Sequence, residues 1–355
     1  MIALPTAPAA RAAIDTAIGE ATARLRERMA RIDPSSAALG QAIERAADGG
    51  KRFRPTLVVA AFHTLGGDLD DPAVYSVAAA FELLHTAFVV HDDVIDHDIE
   101  RRGMPNVGGE FRARGRALGA DAAGSALLGD AAGILAGDLL LHEAVRLVAS
   151  IDAPGETRRD LLDLVEDAVV VSAAGELADV ENAVIADDGV AADAILVATA
   201  NKTAEYSFCA PLVAGSVLAG APTGARTTLR RVGQRLGLAF QLADDLIGAF
   251  GPADVAGRGE GGDLREAKRT PLIALARESD RWPEVSDALA QAHTGPVAVR
   301  AAQQALAASG ARERLEQLIA DTLAEARGLV VDSLLPDPAR AMLLDLVEAV
   351  RERVP

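Results

Sequence analysis

Apolar residues recur at three- and four-residue intervals along almost the whole chain, the spacing that lays one side of an α-helix against a core. Alternating apolar and polar runs of the kind that make strands are scarce. The periodicity breaks where Gly, Pro and Asp gather: Asp33-Pro34-Ser35, Gly66-Gly67-Asp68, Gly103-Met104-Pro105, Asp152-Ala153-Pro154-Gly155, Asp187-Asp188-Gly189, Gly220-Ala221-Pro222 and residues 251–262. Each stretch between breaks is long enough for a helix. Val74 to about Glu100 predicts one continuous helix. The stretch Ala117 to Leu141 has the composition of a membrane span, but Asp121, Asp130 and Asp138 interrupt it, so a pair of buried core helices is expected and no transmembrane segment. The run GPADVAGRGEGGD, with five glycines and one proline, predicts a mobile loop.

Composition narrows the class. Half of the 355 residues are hydrophobic and only 3% aromatic, which favours an all-α fold, and no internal repeat or low-complexity tract divides the chain, so a single domain is expected. A net charge of −17 argues against nucleic acid as a partner, because phosphate backbones are bound by clustered cations. Any anionic substrate must therefore meet a local basic patch. The start MIALPTAPAARAAIDTA has no basic segment followed by an apolar run, and no secretory signal is expected. The lone Cys209, in apolar surroundings, reads as a small buried hydrophobe, consistent with a cytoplasmic setting.

The sharpest chemical signal is His91-Asp92-Asp93-Val94-Ile95-Asp96. On a helix Asp92 and Asp96 stand about 40° apart, so both carboxylates share one side and repel unless a cation joins them. A solvated acidic face is the bland alternative, yet Leu83, Leu84, Phe88, Val89 and Val90 lead straight into the aspartates. A second pair, Asp244-Asp245, follows Phe240-Gln241-Leu242-Ala243. Two such helices facing one another across a cavity would suit hard cations such as Mg²⁺ shared with a diphosphate. Of 35 basic residues only three are lysines, and each lies in a conspicuous segment: Lys51 in GGKRFRP, Lys202 in NKTA and Lys268 in DLREAKRT. A lysine offers a compact, rotatable charge that a planar guanidinium does not reproduce.

The ordered set GGKRFRP, HTAFVVHDDVIDHDIERRGMP, NKTAEY, FQLADDLIGAFG and GRGEGGDLREAKRT, spanning roughly residues 45 to 275, resembles the trans-prenyl diphosphate synthase family, and within it the geranylgeranyl type. The resemblance implies a helical bundle around a central cavity, of the isoprenoid synthase type, usually a homodimer, with three Mg²⁺ ions. It implies condensation of isopentenyl diphosphate with an allylic diphosphate. Lys51, Arg54, His85 and Arg102 would hold the former, and Arg101, Lys202 and Arg258, with Lys268 nearby, the latter. Asp92, Asp93 and Asp96 of the first motif and Asp244 and Asp245 of the second would serve the metals. Thr203 and Gln241 match positions that steady the developing carbocation. His85 has support of its own, lying two turns before Asp92 on one helix face, whereas His91 and His97 match no role.

Four positions depart from the family pattern: Gly248 where the second motif ends in aspartate, Arg258 for lysine, Glu176 for glutamine, and Ala267 for a glycine, the last expected to tolerate alanine at negative φ. A class I terpene cyclase and a non-catalytic partner subunit are the alternatives. Against the first stand Lys51, Arg54 and His85, against the second the intact first motif. For product length, Leu84, Ala87 and Phe88 lie one to two turns before Asp92. The resemblance gives bulky aromatics at 87 and 88 the task of stopping growth at fifteen carbons; Ala87 opens that barrier, Phe88 still narrows the passage and Leu83 and Leu84 form the next floor, pointing to twenty carbons, with fifteen and twenty-five as the flanking alternatives.

Overall fold

The computed structural model describes residues 7–101, 103–184, 192–252 and 261–355, the side chain of residue 193 aside. The described residues are overwhelmingly helical, as the periodicity requires. In order they form α1 (Pro8–Ala30), α2 (Pro34–Ala47), α3 (Phe53–Thr64), α4 (Pro72–Ile95), α5 (Val107–Ala117), α6 (Ala122–Ala149), α7 (Gly155–Val184) and α8 (Ala192–Ala204). After a π-helical turn at Glu205–Cys209 come α9 (Ala210–Leu218), α10 (Thr223–Phe250), α11 (Gly262–Arg265), α12 (Pro271–Arg277), α13 (Trp282–Gln291), α14 (Pro296–Ala308), α15 (Ala311–Val331) and α16 (Asp337–Arg351). The strand content among the described residues is a two-residue ladder, β1 (Glu100–Arg101) antiparallel to β2 (Met104–Pro105).

Polar residues at the helix starts act as caps, Asp33 of the first break among them. Asp33 accepts the backbone N–H groups of Ser35 (2.7 Å) and Ser36 (3.0 Å) ahead of α2, which holds its carboxyl below the usual range, and Pro34 occupies the first helical position. Asp71 accepts Ala73 N–H at 2.9 Å at the start of α4, and Asn106 and Asp121 cap α5 and α6 in the same way. Each such cap contributes ~1 kcal/mol.

Contacts divide the chain into two units. The first comprises the described residues up to 165 together with Ala214–Gly220. Its core is α4, whose Val74, Val77, Ala78, Ala79, Leu83 and Ala87 are fully buried among α1, α3 and α6. Helix α6 comes close because it is glycine-lined: a Cβ at Gly133 would lie 2.4 Å from Val94 and one at Gly137 2.1 Å from the His91 ring. The second unit comprises 166–213 and Ala221–Pro355. Here α10 buries Leu229, Val232, Leu236 and Leu242 against α8, the π-helical turn, α15 and α16.

Three expectations are corrected. Helix α4 ends at Ile95, not near Glu100, because His97 turns into the left-handed region (φ 58°) and ends the hydrogen-bond ladder. The stretch Ala117–Leu141 is not a helix pair: α5 stops at Ala117 and a single helix runs from Ala122 to Ala149. Nor is it wholly buried, since Leu127 is 71% and Leu135 53% exposed. Helices α4 and α6 are both long and apolar enough to cross a membrane by length and composition. Most of α4 is nevertheless core, and α6 carries Asp130, Asp138 and Glu143 within its span. The breaks at Asp187-Asp188-Gly189 and most of the loop before Gly262 lie outside the described residues.

Candidate active site

The first unit sets out one group. On α4, His85, Phe88 and Asp92 are partly open and follow one another at helical spacing, with Asp96 exposed at the C-cap, where its N–H still reaches Asp92 O at 2.8 Å. The stripe predicted from spacing is therefore present on one helix face. Leu84 and Ala87 are fully buried, and Phe88 stands one turn from Asp92 on the same side. Asp93 points the other way. It is buried, and its Oδ1 accepts Arg101 Nε (3.0 Å) and Nη2 (2.6 Å), an ion pair bridging the end of α4 and the short ladder. Burial pushes its carboxyl up, and the Arg101 guanidinium opposes that push. Lys51 is exposed on the turn before α3, and Arg54 sits in the first turn of that helix. His91 lies apart from the stripe, with Nε2 3.3 Å from Ile134 O.

The second unit sets out another. Lys202, in the last turn of α8, lies 2.8 Å from Glu176 Oε2 and 2.8 Å from Asp179 Oδ2, both on α7. Burial disfavours its charge, but the two carboxylates prevail and hold its pKa above the ordinary lysine value. Glu176 thus provides a charge where the family pattern has an amide, and Asp179 was not singled out from the sequence. Its signal was there to use, since it stands three residues after Glu176 and so on the same helix face.

The buried Thr203 hydroxyl donates to Gln241 Oε1 at 2.8 Å, and Gln241 Nε2 donates to Asp245 Oδ1 at 3.0 Å. This relay fixes which end of the amide carries oxygen. Asp245 is buried. Desolvation pushes its carboxyl well up, Gln241 opposes, and the charges of Asp263, Asp244 and Asp179 add to the push.

Asp244 is exposed and takes a hydrogen bond from Arg353 Nη2, whose guanidinium lies 4.4 Å over the Phe240 ring. Arg353, 109 residues away in sequence, could not have been paired with Asp244 from spacing.

Gly248 has a structural reason. A Cβ there would lie 1.8 Å from Asp263 Oδ2, so the carboxylate of Asp263 already occupies the space beside α10 one turn beyond Asp244. Lys268 Nζ is 3.7 Å from Asp263 and 3.4 Å from Glu266. Ala267, in that same turn, is corrected from the sequence reading: its φ is 54°, the left-handed region in which glycine is at ease and alanine is strained. Arg102 and Arg258 lie outside the described residues.

The donor chemistry in both units is carboxylate oxygen and ammonium or guanidinium nitrogen, suited to a hard cation and a diphosphate. Among the described residues no three His, Cys, Asp or Glu side chains form a ready metal cage. That is compatible with Mg²⁺, which commonly binds through one or two carboxylates and completes its shell with water and substrate phosphate.

A family model for polyprenyl synthetases matches residues 36–306, and the chain belongs to that family. It is 34% identical over 260 residues to a (2E,6E)-farnesyl diphosphate synthase of Mycobacterium tuberculosis, a match covering 70% of this chain and 65% of that protein's length. It is 32% identical over 306 residues to a nonaprenyl diphosphate synthase of the same organism, covering 84% and 82%. Its fold is that of a Corynebacterium glutamicum geranylgeranyl pyrophosphate synthase solved with isoprenyl diphosphate and magnesium (TM-score 0.87, 28% identity, 96% and 97% of the two chains).

Proposed function

We propose that this protein condenses isopentenyl diphosphate with an allylic diphosphate, giving a trans-prenyl diphosphate one isoprene unit longer, in a Mg²⁺-dependent reaction. The observation that carries the reading is the joint presence of the His85–Asp92–Asp96 stripe on α4 and the Lys202–Thr203–Gln241–Asp244 group on α8 and α10. Asp92, Asp96 and Asp244, the outward carboxylates, would hold the metals, three ions by the family pattern. Mg²⁺ held there would supply positive charge to the departing diphosphate and so ease its loss from the allylic carbon.

The chain's own residues do the rest. Asp93 orients Arg101 toward the allylic diphosphate, and Asp245 orients Gln241. Lys202, kept charged by Glu176 and Asp179, and Arg258 pair with the same diphosphate, with Lys268 beside them. Thr203 and Gln241 turn oxygen dipoles toward the developing cation. Lys51, Arg54, His85 and Arg102 hold isopentenyl diphosphate so that its double bond attacks as the allylic C–O bond breaks. The new C–C bond forms, and the proton lost from the adduct passes to the released diphosphate. A terpene cyclase needs no second diphosphate site, so Lys51, Arg54 and His85 weigh against it.

Product length is assigned to twenty carbons, because Ala87 removes the first bulky side chain while Phe88 and Leu84 still bound the channel. Leu127, Ile134, Leu135 and Val145 leave an apolar stripe on α6 that a second copy would cover, making a homodimer. Cys209 is fully buried and in no disulfide, its thiol pushed up by burial, as suits a cytoplasmic protein. The test incubates the purified protein and its Ala87→Phe variant with isopentenyl diphosphate, each short allylic primer and Mg²⁺, and chromatographs the dephosphorylated products. Elongation by the parent is expected, with Ala87→Phe shortening the main product by at least one isoprene unit. Absence of elongation with every primer would overturn the reading.

A further inference from the structure

The basic turn ahead of α3 is held in an unusual way. Gly49 (φ 68°) and Gly50 (φ 84°) take the left-handed conformation without strain, but Arg52 does so too (φ 54°), as a residue with a full side chain. Its side chain is 4% exposed and reaches three elements at once. Nε donates to Asp15 Oδ1 on α1 at 2.8 Å, and Nη1 donates to Ala47 O at the end of α2 (2.9 Å) and to Glu82 Oε1 on α4 (3.1 Å). Glu82 is itself buried and stands three residues before His85 on the helix that carries Asp92. A second arginine, Arg11, donates to the backbone carbonyls of Lys51 (2.9 Å) and Gly50 (2.8 Å).

A buried ion pair adds little net stability over a well-packed apolar pair, because desolvation offsets attraction; what it does supply is a fixed geometry. A planar guanidinium that meets a carboxylate on each of two helices and a carbonyl on a third can sit in one orientation only. The strained backbone at Arg52 is thereby locked, and Lys51 and Arg54 on either side inherit their positions from it. We propose that Arg52 is a positioning residue for isopentenyl diphosphate, fixing Lys51 and Arg54 relative to His85 through its tie to Glu82. The proposal rests on the functional reading of Lys51, Arg54 and His85 given above.

A merely structural tie would lower stability without discriminating between the two substrates, so the test reads both. Arg52→Gly keeps the left-handed backbone accessible and removes the guanidinium. Arg52→Met combined with Glu82→Leu leaves no buried carboxylate orphaned on α4 and carries the test should the glycine variant fold poorly. Arg52→Lys restores the charge without the fork. For each, KM for isopentenyl diphosphate, KM for the allylic primer and kcat are measured, with isothermal titration of isopentenyl diphosphate as an equilibrium check. The expected result is a rise of at least tenfold in KM and Kd for isopentenyl diphosphate in the first two variants. The lysine variant should be intermediate, and the allylic KM and kcat should stay within twofold. Unchanged affinity for isopentenyl diphosphate, equal rises in both Michaelis constants, or failure of all three variants to fold would overturn it in favour of a structural role. A parent protein that neither binds nor elongates isopentenyl diphosphate would instead sink the functional reading, and the assignment to Arg52 with it.

Discussion

The same dipeptide, Asp-Asp, closes the working face of α4 and of α10, and the two copies are built alike up to a point. In each the first aspartate is turned outward, half-buried at 92 and exposed at 244, and the second is buried and held by a neighbour. The neighbours differ. Asp93 meets a cation, Arg101, whereas Asp245 meets an amide, Gln241, with the carboxylates of Asp263, Asp244 and Asp179 close enough to add to its push upward. One turn further, α4 offers Asp96, and α10 offers Gly248 with the Asp263 carboxylate lying against it. The first motif therefore carries its inner charge by ion pairing, while the second crowds acids together. A shared sequence pattern does not imply a shared electrostatic solution.

The outward aspartates should matter equally despite these differences. Asp92→Ala and Asp244→Ala are each expected to lower kcat on the order of a hundredfold or more while leaving the circular dichroism of the fold intact. Near-normal turnover in either would break the symmetry at its strongest point. The inner pair should respond unequally. Asp93→Asn replaces the buried carboxylate that Arg101 pairs with by a neutral amide and is expected to destabilise by about 1.5–3 kcal/mol in urea unfolding, whereas Asp245→Asn keeps a hydrogen-bonding partner for Gln241 and should fall within about 0.5 kcal/mol of the parent. Equal losses would mean that the two buried aspartates do one job.

Gly248→Asp restores the family pattern in sequence yet drives a side chain into Asp263. A stability loss of about 1–3 kcal/mol, with no gain in Mg²⁺ affinity, is expected from calorimetry, and a gain would show that Asp263 moves aside freely. The smallest effect is assigned to Arg353→Ala. It frees Asp244 of a competing cation, so the Mg²⁺ concentration needed for half-maximal binding of inorganic pyrophosphate should fall by a few-fold, one charge-assisted hydrogen bond being worth roughly 1–2 kcal/mol before screening. A rise would assign Arg353 to the substrate rather than against the metal.

Local signals carried far. The break read at Asp33-Pro34-Ser35 became the start of α2, with Asp33 as its cap, because capping chemistry acts over two or three residues, whereas Asp71 and Asp121, which cap α4 and α6, lay outside the breaks read from the sequence. His85, Asp92 and Asp96 share a face because helical geometry alone decides it. What stayed hidden depends on residues distant in sequence. Arg353 reaches Asp244, Glu82 reaches Arg52, and Asp263 excludes a side chain at 248, and in none of these does spacing relate the partners. The positive φ at Ala267 was missed for a different reason: a departure from a family glycine is itself a warning of left-handed backbone, and alanine there bears strain instead of being spared it.

The π-helical turn between α8 and α9 sets a rule about chain length rather than chemistry. One extra residue wound into a helix turns everything beyond it by about 100° about the axis. Lys202 and Thr203 precede the turn and Ala210 follows it. Deleting any single residue from 205 to 209 is expected to let the helix straighten and to change the phase of Lys202 and Thr203 relative to Ala210 by about 100°, however conservative the deletion looked on paper. Tyr206, by contrast, can be exchanged without altering the phase. With Glu205, Ser207, Phe208 and Cys209 buried, the rest of this stretch leaves little room for replacement and none for a gap without a change of phase.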